Sequence, residues 1–224
     1  MTDDGAPERP AGRPRDASID ARVLEATRDL LAEAGWEALS IRAVATRVGV
    51  GRASISRRWS TKAELVLHAV LGAEPDLGPF EGTDLAGWVG WVVRGSHELF
   101  HRPDVRAAVP GLLTALREND RLRAALWQGF GGPAAALYAQ RQTAQRQTGS
   151  GPTGHADADL DARAVLAMAA GAALFTSTIA VEDDSPELLA RITELLTAAV
   201  GWSGQGPSTR ASVPNTETTS PSRS

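Results

Sequence analysis

Residues 40–62 read SIRAVATRVGVGRASISRRWSTK, and the spacing within them predicts two short helices around a tight turn. Small or apolar residues fall at Ile41, Val44, Ala45 and Val48, a glycine follows at Gly49, and apolar positions resume at Val50, Ile55 and Trp59. This is helix-turn-helix spacing. Val48, Val50 and Ile55 can hold both helices against a third, Ala45 is small enough to let the backbones approach, and Gly49 can take a positive φ without steric cost. The same stretch holds six basic side chains, Arg42, Arg47, Arg52, Arg57, Arg58 and Lys62, and no acidic one. Since the whole chain nets −4, the rest must carry −10 (−4 minus +6). A basic outer face meets phosphate, and a second helix of this kind can enter a major groove. A solvated charged face is the plainer explanation of most charge runs. Here the signs are segregated and coincide with the turn, so double-stranded DNA is the expected partner.

Placing Ile55 inward assigns the remaining positions of the second helix. At 100° per residue, Ala53 and Arg57 face away from the core, with Ser54 and Ser56 on the flanks. These four, with Arg52 at the helix start, are the candidates for base contact. Arg57 could pair in bidentate fashion with a guanine, worth about 1 to 3 kcal/mol of discrimination. Arg42, Thr46, Arg58 and Lys62 are expected on phosphate, and Ser40 and Trp59 complete the set of expected DNA contacts.

Outward from this core, helix one is expected from about Ile19 to Ala34, with Ser18 as N-cap and Asp20 complementing the helix dipole. Its apolar line is Ile19, Val23, Ala26, Leu30 and Leu31, and Gly35 ends it. Trp36 and Leu39 bridge beneath the three helices, and Ser40 caps the next. Thr61 to Glu64 is a capping box that opens a fourth helix, Lys62 to about Leu71.

Taken together, LLAEAGWEALSIRAVA, then VGV, then a short helix ending in RRW, then STKAEL closely resemble the amino-terminal domain of the TetR family of bacterial transcriptional regulators. The preceding GRPR, Gly12 to Arg15, resembles the family's basic leader. The resemblance covers about 55 residues, Ile19 to Leu71. It implies that the positions of Arg42, Ser54 and Lys62 contact DNA and that the remaining helices bind an effector and dimerise. Two departures stand out. Ser56 replaces a usual tyrosine, and Gly51 replaces a frequent serine N-cap, a change costing only a few tenths of a kcal/mol, roughly.

Global features agree with an intracellular regulator. The 224 residues, 42% of them apolar, can bury a real core. No cysteine is present, which removes disulfides and thiol chemistry. The polar first 18 residues do not read as a signal peptide, and no apolar run is expected to reach the roughly 18 residues that span a bilayer. A pI near 5.6 argues against nonspecific coating of nucleic acid. A cytoplasmic location is expected.

Past Leu71 the expected order is a loop at 72–82, then a helix from Thr83 or Asp84 to about His101, stopped by Pro103. Asp104 to Arg117 should be helical but bent or broken near Pro110-Gly111. A further helix capped by Asn119 or Asp120 should kink at Gly131-Gly132-Pro133 and resume to about Arg146. It carries the pentapeptide AQRQT twice, at 139–143 and 144–148. After a loop at 149–157, the last helices are expected at Asp159 to Val181 and Pro186 to Trp202, the second opened by Ser185. The expected organisation is therefore all-α with about nine helices. Residues 1–17 form a flexible basic leader, 18–71 the helix-turn-helix domain, 83–202 a helical ligand-binding and dimerisation domain, and 203–224 a disordered tail.

In the final helix pair, Leu166, Ala170, Leu174, Leu188, Ile192 and Leu195 have the composition of a homodimer interface, a four-helix bundle across a twofold axis. An intramolecular core is the alternative. Dimerisation would make the operator an inverted repeat. Trp88, Trp91, Val92, His97, Phe100, Trp127, Tyr138 and Phe175 are the candidates to line a mostly apolar pocket for a small-molecule effector, with Arg94, His97 or Tyr138 as polar anchors. Plain core is the competing explanation for these bulky residues.

One motif points elsewhere. His97-Glu-Leu-Phe-His101 fits H-E-x-x-H, with both imidazoles on one helix face and Glu98 beside them as a potential base. Arg102 and Pro103 end the helix at once, and no downstream glycine and histidine extend the motif. A third ligand would have to come from scattered carboxylates, and histidines at a helix C-terminus also complement the dipole. No metal, cofactor or catalytic residue is therefore assigned. A zinc hydrolase using this segment and a helical protein whose basic patch meets a protein or lipid remain the alternatives to a ligand-responsive repressor.

Overall fold

The computed structural model describes residues 17–72, 83–147 and 155–202. All regular structure among them is helical: α1 (Ala17–Ala38), α2 (Ile41–Val48), α3 (Arg52–Ser56), α4 (Lys62–Leu71), α5 (Leu85–His101), α6 (Pro103–Glu118), α7 (Asp120–Leu126), α8 (Gly132–Gln147), α9 (His155–Thr178) and α10 (Pro186–Trp202). A π turn, Trp127–Gly131, joins α7 to α8, so these ten segments make nine rods. The expected leader, the loop at 73–82, the loop at 149–154 and the tail from 203 lie outside the described residues.

Local chemistry explains the first four helices. α1 begins one residue before Ser18, so that serine sits inside the helix rather than capping it. Val23, Ala26 and Leu31 line its buried face. Gly35 interrupts it with φ 76° and ψ −179°, a left-handed φ that a side chain would strain. The Ser40 hydroxyl then accepts the Ala43 N–H at 3.1 Å and opens α2. At the other end Gly49, with φ 75° and ψ 32°, donates its N–H to Ala45 O at 3.0 Å. Thr61 caps α4 by accepting the Glu64 N–H at 3.1 Å. The returning half of this capping box is shifted by one residue: the Glu64 carboxylate takes the N–H of Ser60, at 2.8 Å. Caps of this kind are each worth about 1 kcal/mol.

Two hydrophobic cores result. The first gathers Leu31, Val44, Ile55, Leu65 and Val66 with Val105 and Ala108 of α6 and Leu122 of α7. The second gathers Trp88, Val89 and Val93 of α5 with Tyr138 of α8, Val165 of α9 and Leu196 of α10. Helices α6 and α7 thus share their core with α1–α4, across the 72–82 connection that the sequence marks as a boundary.

Three expectations change. α6 runs unbroken through Pro110 and Gly111, because Pro110 lies on the exposed side, where a lost backbone bond is replaced by water. The kink expected at Gly131-Gly132-Pro133 is taken up by the π turn just before it, a common way for a helix to bend. α9 begins at His155 and ends at Thr178, and a separate 3-10 turn, Val181–Asp183, leads to α10. Ser185 does open α10, accepting the Leu188 N–H at 3.2 Å.

Within α9, Ala158–Thr178 is long and apolar enough to cross a membrane by length and composition, contrary to the expectation from the sequence. Its Ala158, Ala162, Val165, Ala169 and Ala173 are buried, at spacings of three and four. Those small residues pack against the neighbouring helices, as the inner face of a core helix does.

Candidate nucleic-acid interface

The helix pair α2–α3 is held from beneath by Ile55 and Trp59, which are 1% and 6% exposed and lie one helical turn apart. Trp59 is therefore not on the DNA-facing side, as the sequence suggested. Its indole packs in the core, edge-on to the His68 ring with centroids 6.4 Å apart. Ala53, Ser56 and Arg57 are exposed and Ser54 is half-buried, as expected from an inward Ile55. Gly51 starts α3 without a side-chain cap.

The six basic side chains divide evenly. Arg47 is spent on Glu33, at 2.6 and 3.1 Å, and links α2 to α1. This bidentate guanidinium holds the Glu33 carboxyl below its usual range, and the carboxylate raises the arginine. Arg58 is spent on Asp20, 2.5 Å away, and on the Ser54 carbonyl and hydroxyl, both at 3.1 Å. It ties α3 back to α1. Its ion contact with Asp20 is close but not aligned as a hydrogen bond. Lys62 donates to Trp36 O at 2.9 Å and lies 4.5 Å from the centroid of that indole. Arg42, Arg52 and Arg57 have no ion pair or hydrogen bond through their side chains among the described residues, and all three are exposed.

Two further basic groups outside this stretch stiffen the same unit. Arg22 donates to Val48 O at 2.7 Å, and Arg28 donates to Ala69 O at 3.0 Å. Thr46 is exposed and gives its hydroxyl hydrogen to Arg42 O at 3.0 Å, leaving its oxygen lone pairs outward. The candidate interface therefore offers three guanidinium groups unpaired among the described residues, on a scaffold braced by paired basic side chains.

The eight residues expected to line a pocket are dispersed. Trp88, Val92 and Tyr138 are buried second-core residues, with the Trp88 and Tyr138 rings 4.7 Å apart and the indole N–H donating to Ala134 O at 3.2 Å. Trp91 packs beside them. Phe100 belongs to the first core. Trp127 lies at the surface of the π turn, with the Arg163 guanidinium 4.8 Å from its ring, and Phe175 is 51% exposed. Of these eight, only His97 reaches a recess, a shallow one partly open to solvent with room for little more than a water molecule, between α5, α9 and α10. Val93, Ala169, Ala173, Leu189 and Asp184 also line it.

The six residues expected at a dimer face differ in their surroundings. Leu188 and Ile192 line that recess, Leu166 packs on the second core, and Ala170 and Leu174 are half-buried. Leu195, 55% exposed, remains outside. The exposed large apolar residues of α9 are Leu160, Met168 and Phe175, with Ile179 just past its end, at 66%, 47%, 51% and 73% exposure. Sequence composition could not separate the two faces of α9, because both are apolar.

This fold and this cationic face define a helix-turn-helix protein. Residues 23–69 match the family described as bacterial regulatory proteins, tetR family. The uncharacterized HTH-type transcriptional regulator YdeS of Bacillus subtilis (strain 168) is 36% identical over 72 residues, 32% of this chain and 36% of that protein. The uncharacterized HTH-type transcriptional regulator Rv1556 of Mycobacterium tuberculosis (strain ATCC 25618 / H37Rv) is 39% identical over 71 residues, 30% of this chain and 35% of that one. The alignment thus spans about a third of the curated relatives' length. Among solved structures, the TetR family transcription regulator SCO0332 is 26% identical, with a TM-score of 0.54 over 82% of this chain and 97% of that one. Salmonella enterica GusR shares the fold, with a TM-score of 0.56 at 18% identity, over 85% of this chain and 100% of that one. Residues 23–69 are thus similar to the helix-turn-helix domain of the tetR family of bacterial regulatory proteins.

Proposed function

We propose that this chain is a cytoplasmic, ligand-responsive transcriptional repressor that grips an inverted-repeat operator as a homodimer. The observation that supports this reading most is the division of the basic residues. Arg42, Arg52 and Arg57 of α2–α3 are exposed and unpaired among the described residues, while their basic neighbours are consumed in bracing the unit. Three uncompensated guanidinium groups on this helix pair invite a polyanion, and the α3 face with Arg57 outermost suits a major groove. Arg42 and Thr46 then approach phosphate. Lys62 keeps two of its three ammonium hydrogens for phosphate after the bond to Trp36 O.

The second copy is assigned to the outer face of α9 with Leu195 of α10, where large apolar residues are exposed. A twofold axis there would set two reading heads a fixed distance apart, and that distance selects the half-site spacing. The effector is assigned to the recess between α5, α9 and α10, which would have to widen to admit a small, mostly apolar molecule. It would act by binding one spacing of the heads better than the other. A mechanical link runs along α5: Arg102, just past its end, donates to Val70 O of α4 at 3.0 Å and pairs with Asp104.

Gel-shift assays with the chain's own upstream region and with random duplex of equal length test this reading. A preference for a fragment containing an inverted repeat, lost in Arg57→Ala, is expected. Equal binding to all duplexes at moderate ionic strength would overturn it.

A further inference from the structure

His97 and His101 lie one turn apart at the end of α5, and the fold brings a third potential ligand to them from 87 residues away from His97. Asp184, between the 3-10 turn and α10, sets one carboxylate oxygen 2.9 Å from His97 Nε2 and the other 2.9 Å from His101 Nε2. The imidazoles are stacked, with ring centroids 4.0 Å apart. One ligand atom from each of the three residues lies within 4.8 Å of the others. The three side chains are about a quarter exposed, at 25%, 27% and 23%, so an ion could enter without unfolding anything.

Hydrogen-bond accounting at His101 shows where a positive group fits in this arrangement. His101 Nδ1 sits 2.7 Å from His97 O, and a carbonyl oxygen only accepts, so Nδ1 carries the hydrogen. The same bond orients the ring and aims Nε2 at Asp184, the arrangement in which a second partner fixes a metal-ligating imidazole. His101 Nε2 then faces a carboxylate oxygen, lone pair against lone pair, unless a further proton or a cation lies between them. His97 Nε2, whose ring has no Nδ1 partner among the described residues, can donate its own hydrogen to the other oxygen, and a metal ion would take that hydrogen's place. A single divalent ion would satisfy both imidazoles and the carboxylate together.

We propose that His97, His101 and Asp184 bind one divalent transition-metal ion, with zinc the best match to two imidazoles and one carboxylate. Ligand bonds of about 2.0 to 2.1 Å in tetrahedral geometry place donor atoms roughly 3.3 Å apart. The present N–O separations of 2.9 Å therefore need to open by only a few tenths of an ångström, roughly. The protein supplies three ligands, and the fourth position is left to water or another small donor. His97 and Asp184 also line the recess. The ion would clamp the end of α5 to the start of α10. Glu98, the base of the peptidase motif, is exposed on α5 and takes no part in the cluster. This site goes beyond the DNA-binding reading and does not depend on it.

Isothermal titration of the metal-stripped full-length protein with zinc chloride, and with cobalt chloride followed by visible absorption, tests the site. One ion per chain is expected, with a cobalt spectrum of low coordination number. Asp184→Asn and His101→Gln should each weaken zinc binding at least about tenfold while circular dichroism stays unchanged. His68→Gln, at a histidine of α4 whose ring bonds Glu64 O, should bind as the parent does. Unaltered affinity in both cluster variants, or no binding at all to the parent chain, would overturn the proposal. Gel shifts run on the stripped protein report DNA binding separately, so failure of one reading is distinguishable from failure of the other.

Discussion

Gly111 of α6 lies flat against the indole of Trp36, so close that a Cβ built on the glycine would fall 1.9 Å from Trp36 Cε2. Trp36 in turn holds Lys62 at the first position of α4, through its carbonyl and its ring. Helix α6 is thus seated directly on the corner between α1 and α2. A small displacement of α6 must move the tryptophan that positions the reading unit, because close-packed groups transmit shifts rather than absorb them.

This contact gives a sign-changing prediction. Gly111→Ala should destabilise the chain by about 1 to 3 kcal/mol through overpacking on Trp36. In a Trp36→Ala background the same substitution should instead stabilise by roughly 0.5 to 1 kcal/mol, because alanine is the better helix former. Thermal or denaturant unfolding of the four proteins in the double-mutant cycle measures both.

The paired and unpaired arginines should separate in function. Arg57→Ala is expected to relax sequence preference by about 1 to 3 kcal/mol. Arg42→Ala should weaken all duplexes alike and lower the salt-dependence slope by about one. Fluorescence anisotropy at several salt concentrations distinguishes them.

Arg58→Ala should act mainly on stability. Its guanidinium holds Asp20 of α1 and two oxygens of Ser54, so its loss should cost roughly 1 to 3 kcal/mol in chemical denaturation. A variant as stable as the parent but deficient in DNA binding would show that this side chain contacts DNA instead.

Glu33 should titrate below the ordinary carboxylate range in the folded chain, because the Arg47 guanidinium hydrogen-bonds its ionised form. A depressed folded pKa stabilises above the unfolded value, and the contribution disappears as pH falls through the folded value. NMR titration should find the Glu33 resonance moving back toward the ordinary range in Arg47→Ala.

A charge on the outer face of α9 should break the second-copy interface. Phe175→Glu is expected to give a monomer by sedimentation velocity with its helical content intact, since that side chain is half exposed and supports no core. Retention of the dimer would move the interface elsewhere.

Much of the first four helices was legible along the chain, since caps and turns depend on a few adjacent residues. Ser40, Gly49 and the start of α4 at Lys62 are where local chemistry puts them. Gly35 marks the break in α1 for the same reason. Ligand and dimer residues were harder to read. Phe175 and Tyr138 look alike as bulky apolar groups, yet one is exposed and the other fully buried, and only the packing of α8 and α9 distinguishes them. Trp59 shows the same difficulty inside the reading unit.

The chain alone dictated helical periodicity, the turn at Gly49, the caps and a surplus of positive charge in one short stretch, because these are properties of neighbouring residues. Folding in three dimensions decided which charges remain available. Glu33, Asp20 and the Trp36 carbonyl come from other elements to occupy Arg47, Arg58 and Lys62, leaving Arg42, Arg52 and Arg57 outward. It likewise delivered Asp184 to His97 and His101. Partners so distant in sequence meet only through packing, and no local pattern encodes that meeting.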